Sequence, residues 1–588
     1  MTRSASASFG GLMLGLALVI GCQSDDSMSR LDLEAQRIIH QQQARSLGPN
    51  AAATDTFVPT PEAAPDDSLY AYDPATANTP ADRLVIEAAP IVDQVPYPTI
   101  LDDGTKPDTL RLDLEAIIAQ AIEFAPDYRR EKEELFLTTL SLIVERHEWG
   151  PRFFSTVTGQ VEGTPEAGDN DTALNLIGSL GVTQRLPYGG TVSATALVDY
   201  VRFLEQASTN TGDDETQAAD LQFSLDLPLL RGAGKTAATV ETRIQAERDL
   251  IYAVRGFERF RREFFVDLAT TYFDLVRRQR QLANQELQLR NFESSSELFV
   301  ALAEAGREPY FQAERAEQRV LRARNSLINQ QENYVRAIDA LKLRIGIDTT
   351  RSVEIIPVEI IVPEVLLETD TSVATALDQR LDLQTVGDFV EDAVRDVLIA
   401  KNQLLPDLDL TADLTLPTDE TVARGGLDFE ASDGEYEVGL TLGLPLDRKI
   451  EYTDYRASLI RLEREKRDYQ VERDRIALEV RRAVRAIEQA RFILQLQERA
   501  VQINERRASQ IDINARSLGP REVIDVQEDL LDARNDRDEA KSDLRINILE
   551  YLLATGQMRV GPDGRWLAPG RLIDPAETPT DGVVEPTS

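Results

Sequence analysis

Residues 436–444, YEVGLTLGL, alternate strictly: Tyr436, Val438, Leu440, Leu442 and Leu444 fall on one side, and Glu437, Gly439, Thr441 and Gly443 on the other. A period of two predicts a β-strand with one apolar and one wet face. Shortly afterwards the chain enters a helical run from Thr453 to Ser517, 65 residues, which at 1.5 Å per residue is ~98 Å long. No globular domain needs such a helix, so a half-wet strand feeding a very long helix decides the fold.

The same pairing recurs along the chain. Leu408, Leu410, Ala412, Leu414 and Leu416 alternate with Asp409, Thr411, Asp413 and Thr415; Leu221, Phe223, Leu225 and Leu227 alternate with Gln222, Ser224 and Asp226; Phe153 to Val161 does so more weakly. An extra pair, 174–186 and 191–204, is joined at Pro187-Tyr188-Gly189-Gly190 and reads as a hairpin. Runs of about 9 to 11 residues have the length of a tilted membrane-spanning strand. A second long helix is expected from Ala237 to Ala305. In it Phe265, Leu268, Tyr272, Leu275, Leu282 and Leu289 keep a 3.5-residue period, with Gln279 and Glu286 in the skipped positions, as in a coiled coil rather than a buried core. Helices over 113–148 and 309–344, stacked end to end, would match one long helix and give a wall of uniform height.

Two internal repeats organise these elements. Residues 121–151 lie over 376–406 without a gap, pairing Asp127 with Asp382 and Pro151 with Pro406. LDLPLL (Pro228) matches LGLPLD (Pro445), AEAGREPYFQAE (Gly306) matches RSLGPREVIDVQ (Gly519), and both copies close with a glycine, LKLRIGI and LLATGQM. Each half reads helix, strands, long helix, Gly turn, helix, over 109–347 and 348–558.

Arg3 and the apolar stretch FGGLMLGLALVIG make 1–21 a signal peptide, too short for a membrane span. Val19-Ile20-Gly21-Cys22 resembles the bacterial lipobox, so Cys22, the one cysteine of the chain, is the expected lipidation site. Gln23 rather than Asp after it points to the outer membrane. One acyl anchor attaches only modestly, so further contact with outer-membrane lipid is expected. Residues 22–108 (PTPEAAPDD, DPATANTPAD) read as a disordered acidic, Pro-rich tether with a short helix over Asp32 to Arg45, and 559–588 as a disordered tail. Later in the chain no run of 18 apolar residues occurs, so any span must be β. A net charge of −37, with 64 Lys+Arg against 101 Asp+Glu, argues against nucleic acid. One Cys and two His argue against a Cys/His metal site.

Alternating strands in an exported, anchored chain must close into a barrel, because open edges are not tolerated in a bilayer. Four strands, or six with the extra hairpin, are too few for one chain, so several chains must share one barrel. The helices would continue that cylinder as a wet, acidic tube. At this point the body, about 110 to 558, resembles the outer-membrane efflux protein (TolC) family. The resemblance rests on LDLEAIIAQAIEFAPDYR, the strand-opening Pro151 and Pro406, the PLLRGAG and PLDRK junctions, and Gly519 followed by Asp525-Val526-Gln527. It implies a mainly α fold with β: long coiled-coil helices in a periplasmic α-barrel, a shared outer-membrane β-barrel, and a homotrimer. It also implies a periplasmic adaptor (membrane fusion) protein and an inner-membrane pump of RND or ABC type as partners, and a passive conduit with no enzymatic role or cofactor. Carried over, Ala305, Gly306, Arg307, Leu518, Gly519 and Arg521 form the adaptor-contact tips. Asp525 and Glu528 form the channel gate, with Arg521 as a nearby basic contact. The sequence departs from the family pattern at Pro520, at Gln312 in place of Asp, and in the inserted hairpin.

Other readings compete. LLRGAGKT, 229–236, sits between strand and helix as a phosphate-binding loop does, but Leu229 stands where GxxxxGK[ST] requires its first glycine. His147 has no Ser or Cys constellation, and Trp149, Phe153 and Phe154 are expected at a membrane interface. A periplasmic coiled-coil scaffold lipoprotein without a pore is the alternative to a channel.

Overall fold

The computed structural model describes residues 24–47, 109–166, 169–205, 215–357, 368–418, 429, 431–514, 520–561 and 566–567. Cys22, Leu518 and Gly519 lie outside them. An initial helix, α1 (Ser24–Leu47), precedes the body. The first half then runs β1 (Leu110–Leu112), α2 (Leu114–Phe124), α3 (Pro126–Glu148), β2 (Arg152–Glu166), β3 (Asp169–Arg185), β4 (Thr191–Glu205), β5 (Glu215–Pro228), α4 (Ala238–Glu304) and α5 (Tyr310–Arg344). The second half repeats the plan with two strands instead of four: β6 (Val353–Ile355), α6 (Thr369–Gln379), α7 (Leu381–Asn402), β7 (Asp407–Pro417), β8 (Glu435–Gly443), α8 (Lys449–Asn514) and α9 (Pro520–Ala554).

The long helices hold 67 and 66 residues, roughly 100 Å each. The helix expected over 113–148 is broken. Pro126 offers no amide hydrogen and its ring disfavours α geometry before it, so Ala125 is extended, at φ −64° and ψ 126°. Asp113 caps the first piece by accepting from the Ala116 amide at 2.8 Å. The second repeat breaks at the matching place without a proline: Arg380 is extended there, and its guanidinium donates to Asp382, Glu479 and the Ala554 carbonyl. Two short helices therefore do not fill one long helix's length, and the gap between them holds the main core. There β1 and β6 pair in parallel, Leu112 against Ile355, and tie the halves together.

Phe265, Leu268, Tyr272 and Leu275 are buried in that core, and the Tyr272 hydroxyl donates to the Ile356 carbonyl at 2.9 Å. Their stripe is thus a true core and not a two-helix seam, because elements from both halves cover it. The N-terminal helix is longer than the 32–45 expected and sets Ala35, Ile38 and Ile39 into the same cluster. Beyond the core, Arg248, Arg255 and Arg259 of α4 pair with Asp392, Asp388 and Asp382 of α7 at 2.5, 2.6 and 2.8 Å. At the end of the second repeat, Arg559–Val560 pairs antiparallel with Trp566–Leu567, inside the segment read as tail.

At one end, six strands form a single antiparallel sheet in the order β2-β3-β4-β5-β7-β8. Most are longer than the expected 9 to 11 residues, up to 17 in β3. The register carries one apolar row across all six, Phe153–Val182–Ala194–Phe223–Leu414–Tyr436, and beside it a polar row, Phe154–Gly181–Thr195–Gln222–Thr415–Glu435. Because side chains alternate, matching every strand in phase makes one face mainly apolar and the other mainly wet, with Phe154, Ile177, Leu197 and Val201 as apolar exceptions on the second. The expected interfacial trio divides accordingly. Phe153 is on the apolar face and 79% exposed, and Phe154 lies across Gly181 on the other face. Trp149 is buried, with its indole donating to Glu145 at 3.2 Å. Aromatics on the apolar face also include Tyr200 and Tyr436, towards the end of the sheet away from the helices.

Side by side, helices contact in the order α3–α4–α7–α8 near the sheet and α5–α4–α9–α8 away from it. Four helices thus stand abreast at each level. The two flanks of this wall, α3, α5 and β2 on one side and α8 and β8 on the other, carry uncovered apolar side chains.

Candidate functional site

At the end far from the sheet, α4 reverses into α5. The Gly306 amide donates to Ala303 and the Arg307 amide to Leu302, the paired bonds of a helix end that closes through a left-handed residue. Gly306 supplies that residue at φ +69°, and nothing crowds the place of a Cβ. Gly306→Ala should therefore cost only the left-handed penalty, about 1 kcal/mol, loosening the tip without unfolding the chain. Hydrogen exchange at the Arg307 amide should speed up while the core amides stay protected. Ala305, Gly306 and Arg307 are exposed, as are Tyr310 and Phe311 at the start of α5, two aromatics that the sequence reading passed over. At the second tip α9 begins with Pro520, whose fixed φ suits a first helical position. Arg521 lies in the first turn of α9.

Val523 turns inward against Phe299 and Ala316, Ile524 against Phe292, Val320 and Ala323, and Val526 is buried as well. That packing orients the next turn. Asp525 is exposed, and Glu528 is half-buried and accepts a hydrogen bond from Arg319 of α5. On the other side, Asp529 accepts from Arg507 of α8 at 2.8 Å. The acidic turn is thus bracketed by guanidiniums from α5 and α8. The expected basic contact was Arg521; Arg319 was missed, although laying Gly306 over Gly519 places Gln312, Arg315 and Arg319 over Asp525, Glu528 and Asp532. The first repeat is basic where the second is acidic, and that inversion was a usable signal.

Burial pushes the Glu528 carboxyl above the usual glutamate range; Arg319 opposes this, while Asp525, Asp532 and Asp529 add to it. Asp532 is raised too, by burial and then by Asp536 and Asp529. A folded pKa above the unfolded one means the folded tip holds its proton more tightly. The repulsion is therefore present above the folded pKa and relieved as pH falls through it, so mild acidification stabilises this turn. Asp382 has the opposite sign. Burial alone would raise it, but hydrogen bonds and charge from Arg380, with the charge of Arg259, hold it low. Its contribution is present above the unfolded pKa and lost as pH falls through the folded one. Between neutral pH and the glutamate range, exchange protection at the 523–532 amides should rise while protection around Asp382 holds; a fall at 523–532 would contradict the assignment.

Among the described residues no group of three or more His, Cys, Asp or Glu side chains could hold a metal ion. No helix among them is long and apolar enough to cross a membrane. The amides of the phosphate-loop look-alike are engaged: Gly232 donates to Asn402 Oδ1 and Gly234 to the Tyr188 carbonyl, at 2.8 and 2.7 Å.

The arrangement of a strand sheet set on ~100 Å helices has counterparts among solved structures. The CusC structures, which concern conformational changes accompanying folding and transmembrane channel formation, match over 76% of this chain and 93% of that one, at 15% identity and a TM-score of 0.56. The chain has the outer-membrane channel fold of the TolC type. The outer-membrane protein VceC of Vibrio cholerae matches over 75% and 96% of the two chains, with 15% identity and a TM-score of 0.55. The open state of the MtrE outer-membrane channel of Neisseria gonorrhoeae does so over 77% and 90%, with 14% identity and a TM-score of 0.54. No family model matches the sequence, and no curated protein does. The channel fold is thus carried by a sequence far from those of its structural neighbours.

Proposed function

We propose that this chain is the outer-membrane channel of a tripartite efflux or secretion system, a passive conduit from periplasm to exterior that performs no chemistry. The observation that carries this reading is one apolar face running through six strands whose two edges, β2 and β8, have no strand partner among the described residues. In a bilayer such edges must be satisfied, and further copies of the chain can do so. An even number of strands lets β8 of one copy meet β2 of the next antiparallel, with the apolar faces in register. The helices below are ready for the same neighbour. Ile450, Val471, Leu478 and Phe492 of α8 are exposed at multiples of seven residues, and Leu137 and Val144 of α3 are exposed seven apart, the spacing of a coiled-coil seam awaiting a partner.

Three copies make a homotrimer with the sheet as β-barrel and the helices as periplasmic α-barrel. Cys22 is the lipid anchor in the outer membrane. The tips, Ala305, Gly306 and Arg307 with Leu518, Gly519 and Arg521, receive a periplasmic adaptor linked to an inner-membrane pump of RND or ABC type. Asp525 and Glu528, repeated around the axis, form a cation-attracting entrance held by Arg319. Single-channel recording of the mature protein in a planar bilayer tests this. Cation-selective steps are expected, with selectivity reduced several-fold in Asp525→Asn plus Glu528→Gln. Steps that ignore the double substitution would remove the gate and keep the channel; a folded protein giving no steps would be a scaffold without a pore.

A further inference from the structure

Among the described residues the second repeat contributes two strands to the six-stranded sheet and the first contributes four, the surplus being the β3–β4 hairpin. We infer that this hairpin widens the barrel, so that three copies close eighteen strands rather than twelve and the barrel matches the bore of the helical tube; the inference rests on the trimeric channel proposed above.

Two independent features make the hairpin part of the wall. First, its register is continuous on both sides: β3 pairs with β2 from Arg152↔Thr183 to Glu166↔Asp169, and β4 with β5 from Thr191↔Asp226 to Arg202↔Glu215. Its apolar residues, Leu176, Leu180 and Val182 with Val192, Ala196 and Val198, stay in phase with the shared apolar face. A flap folded over the lumen would have no reason to keep that phase. Second, its turn is seated on the strand-to-helix junction. Gly234 donates to the Tyr188 carbonyl, and Gly189 and Gly190 approach the junction backbone so closely that a Cβ on either would overlap it. The equivalent junction of the second repeat, Pro445-Leu446-Asp447-Arg448-Lys449, has no glycine and, among the described residues, receives no hairpin.

The widths explain what the insertion does. Four helices abreast in each of three copies make twelve, which at ~9 Å spacing close at a diameter of about 34 Å. At ~4.8 Å between strands and ~40° tilt, eighteen strands close at about 36 Å and twelve at about 24 Å. With the hairpin, the barrel continues the tube without a taper, and the acidic entrance at the tips is left as the constriction. Cargo that passes the tips then meets no narrower exit.

Electron cryomicroscopy of the full chain in nanodiscs, combined with interchain crosslinking, tests this. In a Cys22→Ser background, Val157→Cys is combined in turn with Val438→Cys, Leu440→Cys or Leu442→Cys, and with Gly439→Cys or Thr441→Cys as opposite-face controls. At least one same-face pair should give a disulfide ladder ending at three copies, the controls should give none, and the barrel should measure about 36 Å across. A variant with 167–214 replaced by an Asn-Gly turn should shrink the barrel by about a third. A three-copy ladder with a barrel of about 24 Å in the full chain would overturn the widening and leave the trimeric channel standing. No ladder and no ring would overturn both.

Discussion

Glu258→Gln should destabilise the main core by about 3–5 kcal/mol, the usual cost of removing one partner from a buried ion pair. Glu258 of α4 is 5% exposed and stands between two buried guanidiniums: Oε1 accepts a hydrogen bond from Arg262 at 2.8 Å, and Oε2 forms an ion pair with Arg261 at 2.7 Å. Both arginines also hold the end of the second repeat, Arg261 donating to the Val560 carbonyl at 2.9 Å and Arg262 to that of Gly556 at 3.4 Å. Arg559 joins them, donating to the Gly556 carbonyl at 2.6 Å; burial and then the charge of Arg262 hold its guanidinium below the usual arginine range. One carboxylate therefore offsets a crowd of cations, and the amide can neither neutralise them nor accept at both oxygens. The denaturant midpoint of the helical signal should fall clearly. Adding Arg262→Gln should recover part of the loss, since it removes one stranded charge. An unchanged midpoint for Glu258→Gln would mean that water reaches the cluster.

Gly190→Ala should destabilise the hairpin dock by about 2–4 kcal/mol, from two separate causes. At φ +85° any Cβ is strained, and here it would also overlap the Asp226 carbonyl oxygen and press within 3.0 Å of the Leu227 Cα and the Pro228 ring. Backbone cannot yield as a side chain's far end can. The natural control is Gly234→Ala, at φ +72° but facing open space, which should cost only about 1 kcal/mol. The heat resistance of the assembled protein should therefore drop more for the first substitution than for the second. Equal drops would show that conformation alone matters and that the turn is not seated on the junction.

Much of this fold was legible because its signals are local. Alternation along 408–416 and 436–444 requires a half-wet strand wherever the strand is placed, and the 3.5-residue stripe of α4 requires a helix with one packed side. Gly306 marked a reversal because only a left-handed residue closes that helix end. Two repeats with strands between long helices left few arrangements open. Local signals also misled. The stripe Phe265–Leu275 looks the same whether one partner helix or a whole core covers it, and Trp149 beside Phe153 looked interfacial until its burial separated them.

What the sequence by itself determined was the kind of wall: strands of alternating face, helices of about 100 Å, glycine reversals at the tips and an acidic balance. Tertiary structure alone decided which residues meet. Arg319 reaches Glu528 across 209 positions, Asn402 meets Gly232 across 170, and the Tyr188 turn settles on Gly234 after the chain has run out and back through two strands. Periodicity records which way a side chain faces relative to its own element. It carries no record of the distant element that will stand opposite, because that choice is made by packing the whole wall at once.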